Sequence, residues 1–423
     1  MNMMATYFLL RIDNMKYFAS GDGPFYFLEQ IRELSWLPNL FDQSVGFGFP
    51  TVIRLWIDYP FRLGVKILAS LGMDWWMIDK ICWIMVLLIG IISSYKLARL
   101  LLSKYFSVVS VILYLTNTYA VLLFSGGQLG VALAYSLSPL VLMKFIQNID
   151  QSYEQRVTRY EIWKNGITSG LWLALIVCFD LRLAYLIFSA IGLYTLYCIW
   201  VSPKIHSMQL LVHVYILPLL ITFLVHTFWI LPVVFVHGAE GIGSELTSPG
   251  MLRFLSVADF SHALSLLHPN WPENLFGKVY FLQPEFLIIP IVAFGSLVFL
   301  NKIQTIEKKR ILFFSLLSVV GVFLAKGSQE PFGGIFVWLF ERIPGFVMFR
   351  DPTKFYLYIA IGYSILIPFT LMHCLQWIAE SKKKSEYIRY FFVFVFFSYW
   401  IFSIRSVFTG LVGGNFHPQS ISN

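Results

Sequence analysis

The sequence predicts an all-α polytopic membrane protein with about 10–11 transmembrane helices and long external loops. Three observations predict it. The 423-residue chain is 58% hydrophobic and only 13% charged, whereas soluble domains carry about 25% charged residues. Its mean hydropathy is +0.71. Apolar runs of about 20 residues, the length that crosses a bilayer as a helix, recur along the whole chain. A strand-based barrel would instead read as short alternating segments.

The elements follow in order. The opening MNMMATYFLL is about half a span. We read it as the tail of a first helix whose start lies outside this sequence, with a short interfacial piece as the alternative. It is not a secretory leader, because no small-residue cleavage site follows it. Residues 13–79 are rich in aromatics and proline and read as an external platform. Trp36, Trp56, Trp75 and Trp76 then sit at headgroup depth. Spans are expected at 80–101, 106–124, 129–147, 165–179, 183–201, 209–235, 285–300, 311–326, 355–377 and 390–407. The polar string FDLRL at 179–183 argues for two helices meeting there, not one long span. Together these form one transmembrane domain over 1–410, with external loops at 13–79, 236–284 and 327–354. Residues 411–423 read as an external tail, the possible start of a further external region.

Charge orients the helices. Lys96, Arg99 and Lys104; Lys144, Arg156, Arg159 and Lys164; Lys204; Lys302, Lys308, Lys309 and Arg310; and Lys382, Lys383, Lys384 and Arg389 fall in alternating short loops. Such loops face the cytoplasm. They account for the net charge of +8 without nucleic acid as a partner. The glycine-, proline- and tryptophan-rich loops then lie on the other side. The expected location is the plasma membrane, with the chemistry on the extracytoplasmic face. The four cysteines, Cys82, Cys178, Cys198 and Cys374, lie in or beside apolar runs and form no CxxC pair. They read as small packing residues.

Four constellations carry candidate chemistry. In FASGDGPFYF, Asp22 stands between two glycines, a sterically open carboxylate that a substrate can approach. The alternative is a solvated Asp-Gly turn. In CFDLRLAYLIF, Asp180 and Arg182 interrupt an apolar stretch. Ionisable groups there are costly and are functional or mutually paired. Arg182 could grip a lipid phosphate through its donor fork, or the two could form a local ion pair. In GFVMFRDPTKFYLY, Arg350, Asp351 and Lys354 precede a helix with Pro352 in its first turn. Two cations beside a helix N-terminus suit an anion; ordinary flanking charge is the alternative. The loop SVADFSHALSLLHPNWPENLFGKVYFLQPEF holds Asp259, His262, His268, Glu273 and Lys278. The spacing matches no closed ligand set, so no metal site is expected. The loop reads as a lid packing aromatics over a lipid-facing cavity. His206, His213 and His226, at or within one helix, read as hydrogen-bonded packing residues.

Taken in order, SGDGPFYF, NTYAVLLFSGGQLGVALAYSLSPLVL, FDLRLAYL, HPNWPENLFG and IPGFVMFRDPTKF resemble the membrane domain of the GT-C glycosyltransferase superfamily. The resemblance is nearest the large arabinofuranosyltransferase type and its uncharacterised relatives, and runs from about residue 20 to 410. FRDPTKF is the most specific string, followed by the run through Asn117, Gln128, Tyr135 and Pro139. The resemblance implies transfer of a sugar from a polyprenyl-phosphate carrier to a glycan or glycolipid acceptor on the outer face. It also implies an acidic general base in the first external loop, a position Asp22 occupies. Arg182, Arg350 and Lys354 are then the lipid-phosphate cations, and Arg253 ranks below them. Gln128, Asp180, Asp351 and His268 line the sugar pocket.

This chemistry needs no nucleotide, and no phosphate-binding glycine pattern occurs. No cofactor is required from the sequence. Two other readings stand beside it: a transporter or lipid flippase, and a non-catalytic scaffold of envelope assembly.

Overall fold

A computed structural model describes residues 17–19, 28–38, 41–42, 49–50, 55–153, 158–201, 210–235, 248–267, 284–381, 386–404 and 417–419. Its helices are α1 (Leu28–Glu33), α2 (Leu55–Ser70), α3 (Trp75–Ala98), α4 (Lys104–Thr116), α5 (Thr118–Ser125), α6 (Leu129–Tyr153), α7 (Arg159–Phe179) and α8 (Leu181–Val201). A π-helical turn at Leu211–Ile216 leads into α9 (Leu217–Val225), then α10 (Thr227–Phe235), α11 (Pro249–Leu255), α12 (Phe260–Leu264) and α13 (Ile288–Phe294). The remainder are α14 (Thr305–Ala325), α15 (Gly333–Arg342), α16 (Tyr356–Ser381) and α17 (Glu386–Ser403). Two small antiparallel ribbons, which the sequence reading did not foresee, pair β1 (Tyr17–Ala19) with β4 (His417–Gln419) and β2 (Phe41–Asp42) with β3 (Phe49–Pro50).

Among the described residues, six helices are long and apolar enough to cross a membrane, or up to eight if each of two bent pairs is one span. The protein is therefore an α-helical, multi-pass membrane protein. The difference from the expected 10–11 has local causes. α14 begins with Glu307, Lys308, Lys309 and Arg310, which dilute its apolar stretch. In α17 the apolar part is limited to Val393–Ser403. The expected spans at 106–124 and 209–235 are bent pairs, α4–α5 by 52° and α9–α10 by 79°.

Each break has a residue-level cause. Asn117 ends α4 in extended backbone. Its Nδ2 donates to the carbonyls of Leu113 and Tyr114 at 3.1 and 2.6 Å, while its Oδ1 accepts from the Ala120 amide at 3.0 Å. One side chain thus closes one helix and caps the next. At the second break, buried His226 takes a hydrogen bond from Trp229 Nε1 on Nδ1 at 2.9 Å. Its Nε2 consequently carries the proton and donates to the Ala174 carbonyl, also at 2.9 Å. The start of α7 is a capping box: Thr158 Oγ1 accepts from the Glu161 amide, and Glu161 Oε2 accepts from the Thr158 amide.

The chain forms two compact units, one of residues 1–89, 126–244 and 416–423 and one of 90–125 and 245–415. In the first unit, α1, α2 and the start of α3 share a small core of Ile31, Val65, Ala69, Trp75 and Ile78. Lys66 donates to the Leu34 carbonyl, and its ammonium lies 4.4 Å from the Trp36 ring centre. α7 meets α9 at GxxxG-spaced glycines: a Cβ on Gly166 would lie 2.6 Å from Leu217 Cδ2, and one on Gly170 would lie 2.7 Å from Ile221 Cβ. Lipid tails are as apolar as leucine, so helices gain little from hiding apolar surface from them. Close approach through small residues provides van der Waals contact instead.

The second unit is built around α16. A Cβ on Gly362 would stand 1.9 Å from Ser318 Oγ of α14, and one on Gly321 would stand 2.7 Å from Tyr358 Cβ. α16 also packs on α4 and α13, and an 18-residue apolar window within the span Pro352–Ile378 is 94% buried.

Two stretches expected as loops hold helices. Residues 236–284 contain α11 and α12, and residues 327–354 contain α15 and two 3₁₀ turns. The platform at 13–79 likewise contains α1, α2 and the start of α3.

Candidate functional site

The FRDPTKF string folds as a buried turn at the start of α16. A 3₁₀ turn at Phe346–Phe349 follows Gly345, whose positive φ of 78° suits glycine. A second 3₁₀ turn, Pro352–Phe355, leads into α16. The phenylalanines form its floor, with ring centres 4.9 Å apart for Phe349–Phe355 and 5.3 Å for Phe346–Phe349. Asp351 is the cap: its Oδ1 accepts from the Thr353 amide at 3.1 Å and from the Thr353 hydroxyl. Its Oδ2 accepts from Lys354 Nζ at 2.8 Å. Lys354 is buried and Arg350 half-buried. The structure thus unites two predicted residues, Asp351 and Lys354, as an ion pair beside a third, Arg350.

Packed on this turn is a loop that sequence reasoning missed. Gly327, at φ +60°, fits so closely that a Cβ there would lie 2.4 Å from both Pro352 Cγ and Ser256 Oγ. Ser328 donates to Ser256 Oγ through its amide and hydroxyl, both at 3.1 Å. Gln329 Nε2 donates to the Ser256 carbonyl at 2.7 Å. Lys326, fully buried, donates to the Gln329 carbonyl at 2.6 Å and sits 4.7 Å from the Phe323 ring centre. The available signal was a lone lysine ending an apolar run just before Gly-Ser.

The segment after α11 is tied down in the same unit. Thr118 donates to the Leu266 carbonyl at 2.7 Å, Tyr356 to Leu267 at 2.9 Å and Tyr363 to Leu264 at 2.7 Å. Asp259 caps α12, accepting from the His262 amide at 2.8 Å, and His262 Nδ1 lies 2.8 Å from the same oxygen. Burial pushes the Asp259 carboxyl up, but hydrogen bonds and charge from His262 outweigh it and hold the group below its ordinary range. This segment was expected to be a lid; its described part is a capped helix anchored to α16.

In the first unit, Asp180 is fully buried in extended backbone between α7 and α8. Its carboxylate accepts from the amides of Arg182 and Leu183 at 2.8 and 3.1 Å, which caps α8. It also pairs with the Arg182 guanidinium, at 2.6 Å to Nη2. The predicted helix break is present, and its two charges form the local pair that was one of the two readings. Gln128, predicted in the pocket, follows the turn glycine Gly127 (φ +65°) and is half-buried at the start of α6.

Asp22 and His268 lie outside the described residues, so the predicted base and one pocket residue have no described geometry. Arg182 belongs to the first unit, and Arg350 and Lys354 to the second. Among the described residues, no group of three or more His, Cys, Asp or Glu side chains is arranged to hold a metal ion. None of the four cysteines is in a disulfide. His213 bonds to Ser152 Oγ at 2.9 Å and to the Asn148 carbonyl at 3.2 Å, inside a buried network of α6 and the π-helical turn. His206 lies outside the described residues. Compared with known proteins, the chain matches no protein-family model, no curated protein and no solved structure.

Proposed function

We propose that this protein is a membrane glycosyltransferase of the GT-C type, taking a sugar from a polyprenyl-phosphate carrier and passing it to a glycan or glycolipid hydroxyl on the extracytoplasmic face of the plasma membrane. The observation that carries the reading is the FRDPTKF turn. It sets Arg350 and Lys354 at the very start of a membrane-spanning segment, with Lys354 held by Asp351. The end of a span is the depth of lipid phosphates, and fixed cations there suit an anionic leaving group.

In the proposed step, the acceptor oxygen attacks the anomeric carbon as its proton passes to the Asp22 carboxylate. The bond from that carbon to the phosphate oxygen breaks, and its electron pair leaves with the carrier phosphate. Arg350 and Lys354 balance the charge that grows there. A single displacement inverts the anomeric centre.

The test is turnover of a polyprenyl-phosphate sugar by the purified protein. Asp22→Asn is expected to lower the rate by about 10²–10⁴-fold, the usual worth of a general base. Near-normal turnover by a folded variant removes Asp22 from the role. Arg350→Ala is expected to weaken binding of the carrier phosphate, and unchanged binding removes that assignment.

One observation favours a transporter or flippase instead: two apolar helix pairs are broken, by 52° and 79°, and discontinuous helices occur at transport sites. Lipid or solute movement in proteoliposomes without sugar transfer would decide for that reading.

A further inference from the structure

α15 has two apolar faces, and only one meets protein. Gly333, Phe336 and Phe340 are buried. On the other side Ile335 and Trp338, at helical spacing, are 49% and 56% exposed, and Phe332, the residue just before the helix, is 68% exposed. Large apolar side chains do not stay in water as a contiguous stripe without a partner.

The buried face fixes the depth of the helix. Phe336 packs against Phe346 and Phe355, with ring centres 5.2 and 6.0 Å apart. Phe355 lies in the first turn of the window Pro352–Ile378, one of the membrane spans. α15 therefore sits level with the end of a span. With ten residues it is about 15 Å long, half of what crossing requires. Tryptophan is favoured at this depth, and Glu341 and Arg342, exposed at its C-terminal end, can reach water from there.

We infer that the Ile335–Trp338 face of α15, with Phe332 at its N-cap, is a lipid-binding surface, seated where headgroups meet acyl chains. It anchors the Arg350–Lys354 turn, only a few residues further on, at phosphate depth. The inference does not rest on sugar transfer, because it holds for any multi-pass protein with this geometry.

The experiment places the full chain in nanodiscs of phosphatidylcholine, part of it carrying a photoactivatable diazirine in the acyl chain. After illumination, lipid adducts are mapped by mass spectrometry, and Trp338 is probed in parallel by hydroxyl-radical oxidation. The expected result is lipid adducts within Phe332–Arg342 and protection of Trp338 relative to the unfolded chain. Ile335→Glu combined with Trp338→Glu is expected to lose those adducts while adducts on α3 persist. Ready oxidation of Trp338 without adducts would mean a water-facing helix and overturn the inference. Protection without adducts would overturn it too; a protein cross-link at that face then shows whether another segment or a second copy covers it. The measurements on the unaltered chain decide the matter even if the double variant fails to fold.

Discussion

Asp180 shows how one carboxylate closes a helix junction inside an apolar chain. It supplies the cap of α8 and neutralises Arg182 with the same two oxygens. Asp180→Ala is expected to cost about 2 kcal/mol, from the cap and from stranding a half-buried cation. Asp180→Asn, which keeps a capping oxygen, should lose less. Thermal unfolding in detergent measures both. Asp259 gives a pH test. Its folded carboxyl lies below the ordinary value of 3.8, so its contribution is complete above that value and disappears as pH falls through the lower folded value. The melting difference between wild type and Asp259→Asn should be constant near neutrality and shrink below about pH 4. Asparagine caps as well as aspartate, so the comparison isolates charge. At this scale the sequence was legible where charge interrupts grease, as at Asp180, Arg182 and Lys354. It was not legible for Lys326, because its burial depends on a loop folding back onto Pro352 and Ser256.

Among the elements, hydropathy located eight of the ten expected spans, counting the two bent pairs, to within five residues at each end, since a run of some twenty apolar side chains has few alternatives in a bilayer. α8 at Leu181–Val201 against an expected 183–201 differs by two residues at its start. Kinks were not legible: Asn117 looks like any polar residue, and its double capping appears only once α4 and α5 exist. Asn117→Ala should cost about 1–2 kcal/mol by uncapping α5, read as a lower melting temperature. The packing glycines allow a sharper test. Gly170→Ala forces a Cβ to within 2.9 Å of the Pro218 carbonyl oxygen, a backbone atom that cannot rotate away. Overpacking of this kind costs about 1–3 kcal/mol. Gly192→Ala meets nothing within 4 Å and should be neutral or slightly stabilising, since alanine is the better helix former. Equal effects from the two substitutions would contradict close packing at the α7–α9 contact.

For the whole molecule, class and many passes through the membrane could be read from composition, because low charge together with recurrent apolar runs of about 20 residues matches a bilayer better than water. Sidedness rests on the basic loops alone. In a chain whose native cysteines are replaced, Lys309→Cys and Lys383→Cys should react with an impermeant maleimide only from the cytosolic face, and Ser20→Cys only from the other. Reaction of all three from one face would remove the proposed extracytoplasmic site. The internal contacts of each unit were invisible beforehand, since no local pattern announces which distant helices will touch.

Enclosure of α16 has a consequence for how the protein is made. Its partner α4 emerges from the ribosome some 240 residues earlier, and between them come α6, α7 and α8, which belong to the other unit. The second unit therefore cannot close until translation has passed Ser381. Until then α4 must wait in the bilayer with its mating surface covered only by lipid, so a ribosome stalled before that point leaves a half-assembled protein for quality control to recognise.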